Sequence, residues 1–140
     1  MEKVIWLSEC SESNEVPVTA IIAIKNQEIS IAQNKVEQTK FVWEHAEYVA
    51  VKCACEKLNT KYLDMASIYV NLEPCEFCSA LLSAVRIKNI FFGAYNSRGG
   101  GIIHNARIFD KTTRQPFIIG GIQETRCSKL LSSFFKKIRK

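Results

Sequence analysis

The sequence has 140 residues and a formal net charge of +5, with hydrophobic residues at 47% and charged residues at 24%. This composition is typical of a one-domain globular protein and excludes a low-complexity chain. No apolar run approaches the roughly 20 residues of a membrane span, and Val4-Ile5-Trp6-Leu7 is too short for a signal-peptide core. Six cysteines without a secretory signal predict a reducing compartment, which we expect to be the cytoplasm.

The first third of the chain predicts a short helix and a hairpin. Residues 2–13 have weak helical periodicity. The β-rich stretch from Pro17 to Lys25 predicts a strand, Lys25-Asn26-Gln27-Glu28 predicts a turn, and Ile29 to Ala32 predicts the returning strand. The polar residues 34–39 predict a loop.

The middle of the chain predicts two helices separated by a strand. Apolar residues recur at helical spacing from Glu44 to Leu58, so His45 and Glu47 are expected in the first turn of that helix. Ser67 to Leu72 predicts a short buried strand. A proline at the first helical position then favours a helix from Cys75 to Arg86.

The remaining elements complete an alternating pattern. Asn89 to Ala94 predicts a strand broken by Gly93, Tyr95 to Asn105 a loop, and Phe117 to Ile119 a further strand. In the last helix the apolar face repeats at helical spacing through Cys127, Leu130, Leu131, Phe134, Phe135 and Ile138. The alternation predicts one three-layer α/β domain over residues 1–140, with at least part of the sheet parallel.

The positive charge is concentrated at the end of the chain. All 14 acidic residues precede Arg126, and the following basic side chains are Lys129, Lys136, Lys137, Arg139 and Lys140. Two interpretations stay open on charge alone. One is a polyanionic partner that meets this segment. The other is a solvated helix end, where positive charge is favoured by the helix dipole.

Two short motifs carry the chemistry, His45-Ala46-Glu47 and Pro74-Cys75-Glu76-Phe77-Cys78. His-x-Glu followed by Pro-Cys-x-x-Cys is the signature of zinc-dependent nucleobase deaminases. His45, Cys75 and Cys78 are expected to bind one Zn²⁺ per chain and to leave its fourth position to water. Zinc-bound hydroxide is then the nucleophile, and Glu47 carries its proton to the ring nitrogen and the departing amine.

The rival interpretation is a structural zinc site of four cysteines, namely Cys53, Cys55, Cys75 and Cys78. Residues i and i+2 point about 200° apart on a helix, and Cys53 would lie roughly 12 Å along the axis from the histidine. Both are expected to be ordinary helix residues. Cys127 falls on the apolar face of the last helix, which predicts a core position. His104, in the glycine-rich loop, is expected to be a surface residue.

Taken together, these residues resemble bacterial tRNA adenosine deaminases of the TadA type, within the cytidine deaminase-like superfamily. The segments that carry the resemblance are Glu15-Val16-Pro17-Val18, His45-Ala46-Glu47, Tyr69 to Cys78, Phe92-Gly93-Ala94 and Leu130 to Phe135. The resemblance implies a three-layer α/β/α fold with a mixed five-stranded sheet. It also implies conversion of the wobble adenosine of a tRNA anticodon to inosine by a homodimer. Asn34 matches the family asparagine that contacts the flipped base.

Further positions bear on RNA binding. The resemblance places Asn96 in the loop that approaches the nucleotide. The coincidence of charge and aromatic rings predicts that the end of the last helix, with Phe134, Phe135, Lys136 and Lys137, meets the anticodon stem-loop. The basic groups suit phosphates, and the aromatic rings suit base stacking.

Several residues depart from the family pattern, and they are expected where RNA is read. Thr19 stands where the family usually has glycine, and Asn96 stands where it generally has aspartate. The usual Asp-Pro is absent from the stretch that ends at Glu44. Arg114 is the second residue of a pair that replaces a common Asn-His. A deaminase of another base or nucleoside (guanine, cytosine or cytidine) therefore remains an alternative. An RNA-binding zinc module without catalysis is a third, which the intact Glu47 disfavours.

Overall fold

Five strands and five α-helices alternate along residues 1–12 and 14–139, the part of the chain that the computed structural model describes. In chain order the elements are α1 (Glu2–Glu9), β1 (Thr19–Ile24), β2 (Gln27–Gln33), α2 (Val36–Thr39), α3 (Ala46–Leu58), β3 (Ser67–Leu72), α4 (Glu76–Ala84), β4 (Asn89–Ala94), a 3₁₀ turn (Ile108–Lys111), β5 (Phe117–Ile119) and α5 (Glu124–Ile138). Within this part of the chain, no helix is both long enough and apolar enough to cross a membrane.

The strands form one mixed sheet in the order β2-β1-β3-β4-β5. The pairs β1–β2 and β1–β3 are antiparallel, whereas β3–β4 and β4–β5 are parallel. Helices α1 and α5 contact each other and the sheet, and α3 contacts β1, β2 and α4. The helices thus form a layer on each face, which confirms the predicted three-layer α/β/α fold with a mixed five-stranded sheet.

The hairpin between β1 and β2 turns on two residues. Lys25 and Asn26 have φ of 50° and 63°, and Ile24 pairs with Gln27 across them. Two left-handed residues between paired strands make the turn whose twist matches that of the strands. The returning strand therefore begins at Gln27, two residues before the predicted Ile29.

The core lies beneath the parallel strands. Ile68 pairs with Ile90 and Val70 with Phe92, and all four side chains are buried. Strands that run in parallel need a crossover, and α4 supplies it between β3 and β4. This connection places the ends of β3 and β4 and the start of α4 side by side.

Gly93 does not break β4, contrary to the prediction, because the strand is continuous through Ala94. A side chain at Gly93 would meet Sγ of Cys127, and it would meet the backbone oxygen of Asn71 at 2.8 Å. Cys127 is fully buried, as predicted for a core residue. The glycine therefore lets α5 approach β4 closely.

Three local details differ from the sequence prediction. The segment after β2 contains the short helix α2 where a loop was expected. Helix α3 begins at Ala46, so His45 is its N-terminal cap rather than a first-turn residue. Similarly, α4 begins at Glu76 and Cys75 is its cap. Both motifs therefore lie at helix starts, as the prediction required, with His45 and Cys75 one residue ahead of the helix.

Candidate metal centre and cleft

His45 is held at the start of α3 by its own backbone. Its φ and ψ of −69° and 153° are extended, and its carbonyl oxygen accepts the first helical hydrogen bond from the Val49 amide at 3.0 Å. The His45 amide donates to the Trp43 carbonyl at 2.7 Å. This cap geometry fixes the Cα of His45 and turns its half-buried imidazole towards the start of α4.

Cys75 and Cys78 stand one helical turn apart at the start of α4. The Cys75 sulfur accepts a hydrogen bond from the Cys78 amide, with an N···S distance of 3.5 Å. The bond satisfies an amide that has no partner within the helix. Cys78 is fully buried and Cys75 half-buried. The predicted i, i+3 pair thus directs both thiols to one side of the helix.

The three predicted metal ligands meet at one point. Nδ1 of His45 lies 3.5 Å from Sγ of Cys75 and 3.5 Å from Sγ of Cys78, and all three atoms lie within 4.8 Å of one another. Cys53 is exposed and Cys55 half-buried, and neither belongs to the cluster. Imidazole and two thiols at this separation can hold a metal ion, whereas the four-cysteine alternative is not formed.

The protons of this cluster are unevenly shared. The hydrogen bond with Cys78 lowers the pKa of Cys75 to about 4, and the bond with His45 acts in the same direction. The bond with Cys75 and burial raise the pKa of the Cys78 thiol. The same Cys75 raises the pKa of His45. Cys75 is therefore the more acidic thiol of the pair.

Glu47 lies in the first turn of α3, 5% exposed, beside the cluster. Burial raises the pKa of its carboxyl to about 7, and the Cys75 thiolate adds to that rise while His45 opposes it. Glu47 lies outside the three-residue cluster, so it is adjacent to the candidate ligands without being one of them.

A cleft of about 400 Å³ opens in front of these groups. Its lining residues come from the ends of several elements and include Asn14, Val16, Val18, Asn34, Val36, Glu37, His45, Glu47, Leu72, Glu73, Cys75, Asn96, Phe134, Phe135 and Ile138. Most of the wall is apolar, and its polar groups include the imidazole of His45 and the carboxyl of Glu47. A planar, partly apolar molecule with polar edges suits such a cleft.

The structure brings most of the predicted binding residues to this cleft. Asn34 and Asn96 line it from the segments after β2 and β4, and Phe134 and Phe135 line it from α5. Lys136 and Lys137 are exposed on the same helix and do not line it. Cys127 and Leu131 are buried, so the first part of the apolar face of α5 packs onto the domain, whereas Phe135 and Ile138 at its end are exposed. Lys140 lies outside the described residues.

Glu73 is a site residue that the sequence analysis missed. The residue is 1% exposed, and its carboxylate accepts hydrogen bonds from the backbone amides of Asn96, Ile103 and His104, at 3.0, 2.8 and 3.0 Å. Nδ1 of His104 adds a fourth contact at 2.8 Å. His104 was expected to be only a surface residue, and this contact corrects that expectation. Glu73 directly precedes Pro74, so these bonds hold the loop after β4 against the segment that leads into α4.

Three departures from the family pattern lie away from the cleft lining. Thr19 is completely buried, and its hydroxyl accepts from Ser8 at 2.8 Å, so the expectation that it lies where RNA is read is wrong. Arg114 is exposed in the segment before β5 and does not line the cleft. Glu44 also stands outside the lining, and its carbonyl accepts from the Lys35 amide at 2.9 Å. Asn96 is the departure that does line it.

Comparison with known proteins gives a consistent result. The chain matches the model of the MafB19-like deaminases over residues 1–139. A tRNA-specific adenosine deaminase of Aquifex aeolicus is 44% identical over 131 residues, which are 91% of this chain and 85% of the relative. A structure from a study of A-to-I editing by tRNA:A34 deaminases at the wobble position superposes with a TM-score of 0.88 at 30% identity, covering 94% of this chain and 97% of that one. A guanine deaminase from Nitrosomonas europaea shares the fold, with a TM-score of 0.76 at 16% identity over 95% of this chain and 79% of that one.

Proposed function

The chain belongs to the MafB19-like deaminase family, and from this premise we propose that it hydrolyses adenosine to inosine at the wobble position of a tRNA anticodon. The 44% identity to a tRNA-specific adenosine deaminase supports this substrate over a free base, because that similarity covers 91% of the chain. The guanine deaminase at 16% identity shares the fold alone and does not favour guanine.

One observation carries the proposal: His45 and Cys75, two members of the three-residue cluster, line the same cleft as Glu47. A structural metal site has no need of a cleft or of an uncoordinated carboxylate beside the ligands. The arrangement therefore supports a hydrolase rather than an RNA-binding zinc module without catalysis.

The distances within the cluster fit zinc. In a tetrahedral site, Zn–S bonds of about 2.3 Å and Zn–N bonds of about 2.0 Å hold the sulfur and nitrogen ligands about 3.5 Å apart. Nδ1 of His45 lies 3.5 Å from the sulfur of Cys75 and 3.5 Å from that of Cys78. The agreement supports one Zn²⁺ per chain, held by these three residues.

The reaction consumes one water and releases ammonia, since a C6–O bond forms on adenine as the C6–N6 bond breaks. When bound, zinc supplies a nucleophile at neutral pH by lowering the pKa of a water molecule that it binds. Glu47 takes one proton from the attacking water and delivers it to the ring nitrogen, and it then passes the second proton of that water to the departing amine. Its position in the cleft, outside the ligand set, supports this role.

The walls of the cleft hold the base, and the exposed end of α5 meets the RNA backbone. Asn34 and Asn96 supply hydrogen-bonding groups to the base, and Phe134 and Phe135 supply stacking surfaces. Lys136 and Lys137, exposed beyond the cleft, meet phosphates of the anticodon stem-loop. The coincidence of the aromatic and basic residues on one helix supports this division of roles.

Three further properties belong to the same proposal. Residues 1–140 act as a single deaminase domain. The enzyme works as a homodimer, as the family resemblance implies. It acts in the cytoplasm, where thiols stay reduced, so that Cys75 and Cys78 remain available to the metal.

Mass spectrometry of nucleosides tests the proposal directly. The zinc-loaded protein is incubated with an anticodon stem-loop and, separately, with adenosine, guanine, cytosine and cytidine. We expect inosine in the stem-loop at the wobble position and no comparable turnover of the free compounds, with Glu47→Gln as the inactive control. Turnover of a free base in place of the stem-loop would assign the chain to another substrate. No turnover of any compound by the zinc-loaded protein would contradict the hydrolase.

A further inference from the structure

A buried carboxylate stands directly behind one of the residues that line the cleft. Glu15 is only 4% exposed, although it lies in the segment that leads into β1. Its Oε2 lies 3.0 Å from the side-chain nitrogen of Asn34, and its Oε1 lies 2.6 Å from the backbone nitrogen of Gln38. Glu15 thus joins the segment before β1 to the segment after β2, and it does so through Asn34.

The backbone of Asn34 is already fixed at this point. Its amide donates to the carbonyl of Val18 at 3.1 Å, which continues the pairing of β1 with β2. The freedom left to Asn34 is therefore the orientation of its side-chain amide. An amide has a donor edge and an acceptor edge, and rotation by 180° exchanges them.

A carboxylate removes that freedom. An ionised carboxylate only accepts hydrogen bonds, so Asn34 must turn its NH₂ group towards Glu15 and its carbonyl oxygen away from it. We propose that Glu15 is a positioning residue: it sets the amide orientation that Asn34 presents to the base. The proposal rests on the proposed function, because the orientation matters for catalysis only if Asn34 contacts the substrate.

Replacing the carboxylate by an amide of the same shape tests this reasoning. In Glu15→Gln, one side-chain oxygen remains to accept, and an NH₂ group stands in place of the other. The donor at Gln38 belongs to the backbone and cannot turn, so it retains the oxygen. Asn34 then faces an NH₂ group and rotates to accept from it. The amide presented to the cleft is reversed without any change of shape.

The reciprocal exchange restores the orientation. In Asn34→Asp alone, two carboxylates face each other at the 3.0 Å contact and repel. In Glu15→Gln with Asn34→Asp, the introduced glutamine amide donates to the introduced aspartate, and the glutamine oxygen still accepts from the Gln38 amide. An acceptor oxygen again faces the cleft, and the total charge equals that of the wild type.

The kinetic experiment compares the two single variants, the double variant and Glu12→Gln, using the zinc-loaded protein and an anticodon stem-loop. Glu12 is exposed and lies three residues before Glu15, so its substitution removes the same charge and leaves the hydrogen bond between Glu15 and Asn34 in place. We expect kcat/KM to fall about 10-fold to 100-fold in each single variant, because the amide is reversed in Glu15→Gln and the two carboxylates repel in Asn34→Asp. The double variant should recover about 10-fold relative to Glu15→Gln, and Glu12→Gln should match the wild type.

A purely structural role makes a different prediction. Activity would then follow the melting temperature across the variants and would be normal wherever the protein is folded. The positioning role predicts the kinetic loss at temperatures where every variant is folded and has its full zinc content. A double variant no better than Glu15→Gln, or a fully active Glu15→Gln, would overturn the proposal.

A readout that needs no activity separates this inference from the proposed function. In ¹⁵N-labelled, zinc-loaded protein without substrate, we expect one NH₂ proton of Asn34 to be shifted downfield by its bond to Glu15. That shift should disappear in Glu15→Gln and persist in Glu12→Gln. If the stem-loop is not a substrate, this measurement still tests the orientation. An Asn34 NH₂ signal that is the same in Glu15→Gln and in the wild type would contradict the positioning role whatever the substrate.

Discussion

Nδ1 of His104 lies 2.8 Å from Oε2 of Glu73, and this contact joins a half-exposed imidazole to a carboxylate that has no exposed surface. Glu73 directly precedes Pro74-Cys75, and its oxygens also accept three backbone amides from the loop after β4. One buried carboxylate therefore sets the distance between a predicted metal ligand and the loop that carries Asn96.

Glu73→Gln should lower the free energy of unfolding by about 1–3 kcal/mol. Glutamine keeps one accepting oxygen, so some of the loop amides then face an NH₂ group and lose their partner. His104→Ala, the matched control, removes one donor from a half-exposed position and leaves the backbone bonds intact. Urea denaturation compares the two. Equal losses in both variants would mean that the imidazole, and not the carboxylate, holds the loop.

The stabilising effect of Glu73 should also depend on pH. Burial alone would raise the pKa of its carboxyl, but the hydrogen bonds from His104, Asn96 and Ile103 outweigh burial and lower the pKa. A carboxyl whose pKa is lower in the folded state stabilises fully above its unfolded pKa of about 4.3, and this contribution is lost as the pH falls through the folded pKa.

Wild type and Glu73→Gln should therefore differ most in unfolding free energy above about pH 5 and converge in acid. The metal ligands also take up protons in acid, but they do so in both proteins, so the difference isolates Glu73. Urea titrations at a series of pH values measure it. A difference that stays constant down to the lowest pH would show that Glu73 acts through its shape and not through its charge.

The candidate metal site was predictable from the sequence because the residues of each of its two motifs are close together in the chain. Cys75 and Cys78 are three residues apart on one helix, and His45 and Glu47 lie within two residues of each other. Helical geometry alone then limits which of these groups can share an ion. The structure brings the three predicted ligands together and leaves Cys53 and Cys55 apart from them. The mixed sheet was implied by the family resemblance and confirmed by the strand order.

The role of Glu73 was not predictable because its partners are distant in sequence and mostly backbone amides. A backbone amide carries no side-chain signature, and the partners lie 23 to 31 residues further along the chain. The glycines of that loop predict only a flexible loop. In the structure, a side chain at Gly100 would meet Oε1 of Glu73 at 2.5 Å, and one at Gly101 would meet the backbone of Glu76 at 2.7 Å. Glycine is therefore required at these two positions, because the loop backbone approaches Glu73 and Glu76 too closely to leave room for a side chain.

Removal of either thiol should release the metal. Cys75→Ala and Cys78→Ala should each lose most of the zinc, which we expect at about one ion per chain in the wild type, together with the deaminase activity. Cys53→Ala and Cys55→Ala, which lie outside the cluster, are the matched controls and should keep both. Elemental analysis of the purified proteins measures the zinc. Full zinc retention in both Cys75→Ala and Cys78→Ala would disprove the ligand assignment.

Substitution of Glu47 should separate catalysis from metal binding. Glu47→Gln preserves the shape of the side chain and all three ligands, so zinc content and melting temperature should barely change. Without a group that carries the proton, turnover should fall about 10²-fold to 10⁴-fold. Single-turnover assays on an anticodon stem-loop, with zinc measured on the same sample, provide the comparison. Near-normal turnover in Glu47→Gln would mean that another group carries the proton.

The exposed end of α5 should contribute binding energy but no chemistry. Phe134 and Phe135 line the cleft, whereas Lys136, Lys137 and Arg139 are exposed beyond it. Changing these three basic residues to alanine removes charges that displace counterions from phosphates. Stem-loop affinity should weaken, and the slope of log K against log salt should become shallower by about 2. Zinc content, melting temperature and the single-turnover rate at saturating RNA should hardly change.

The matched control for this variant takes charge from a different helix. Lys52→Ala with Lys57→Ala removes two exposed charges from α3 and should leave both the affinity and the salt slope near those of the wild type. Filter binding or fluorescence anisotropy across a series of salt concentrations measures both quantities. If the α5 variant keeps the affinity and the slope of the wild type, its basic residues form only a solvated helix end. Equal weakening in both variants would instead indicate a general effect of net charge, with no RNA contact specific to α5.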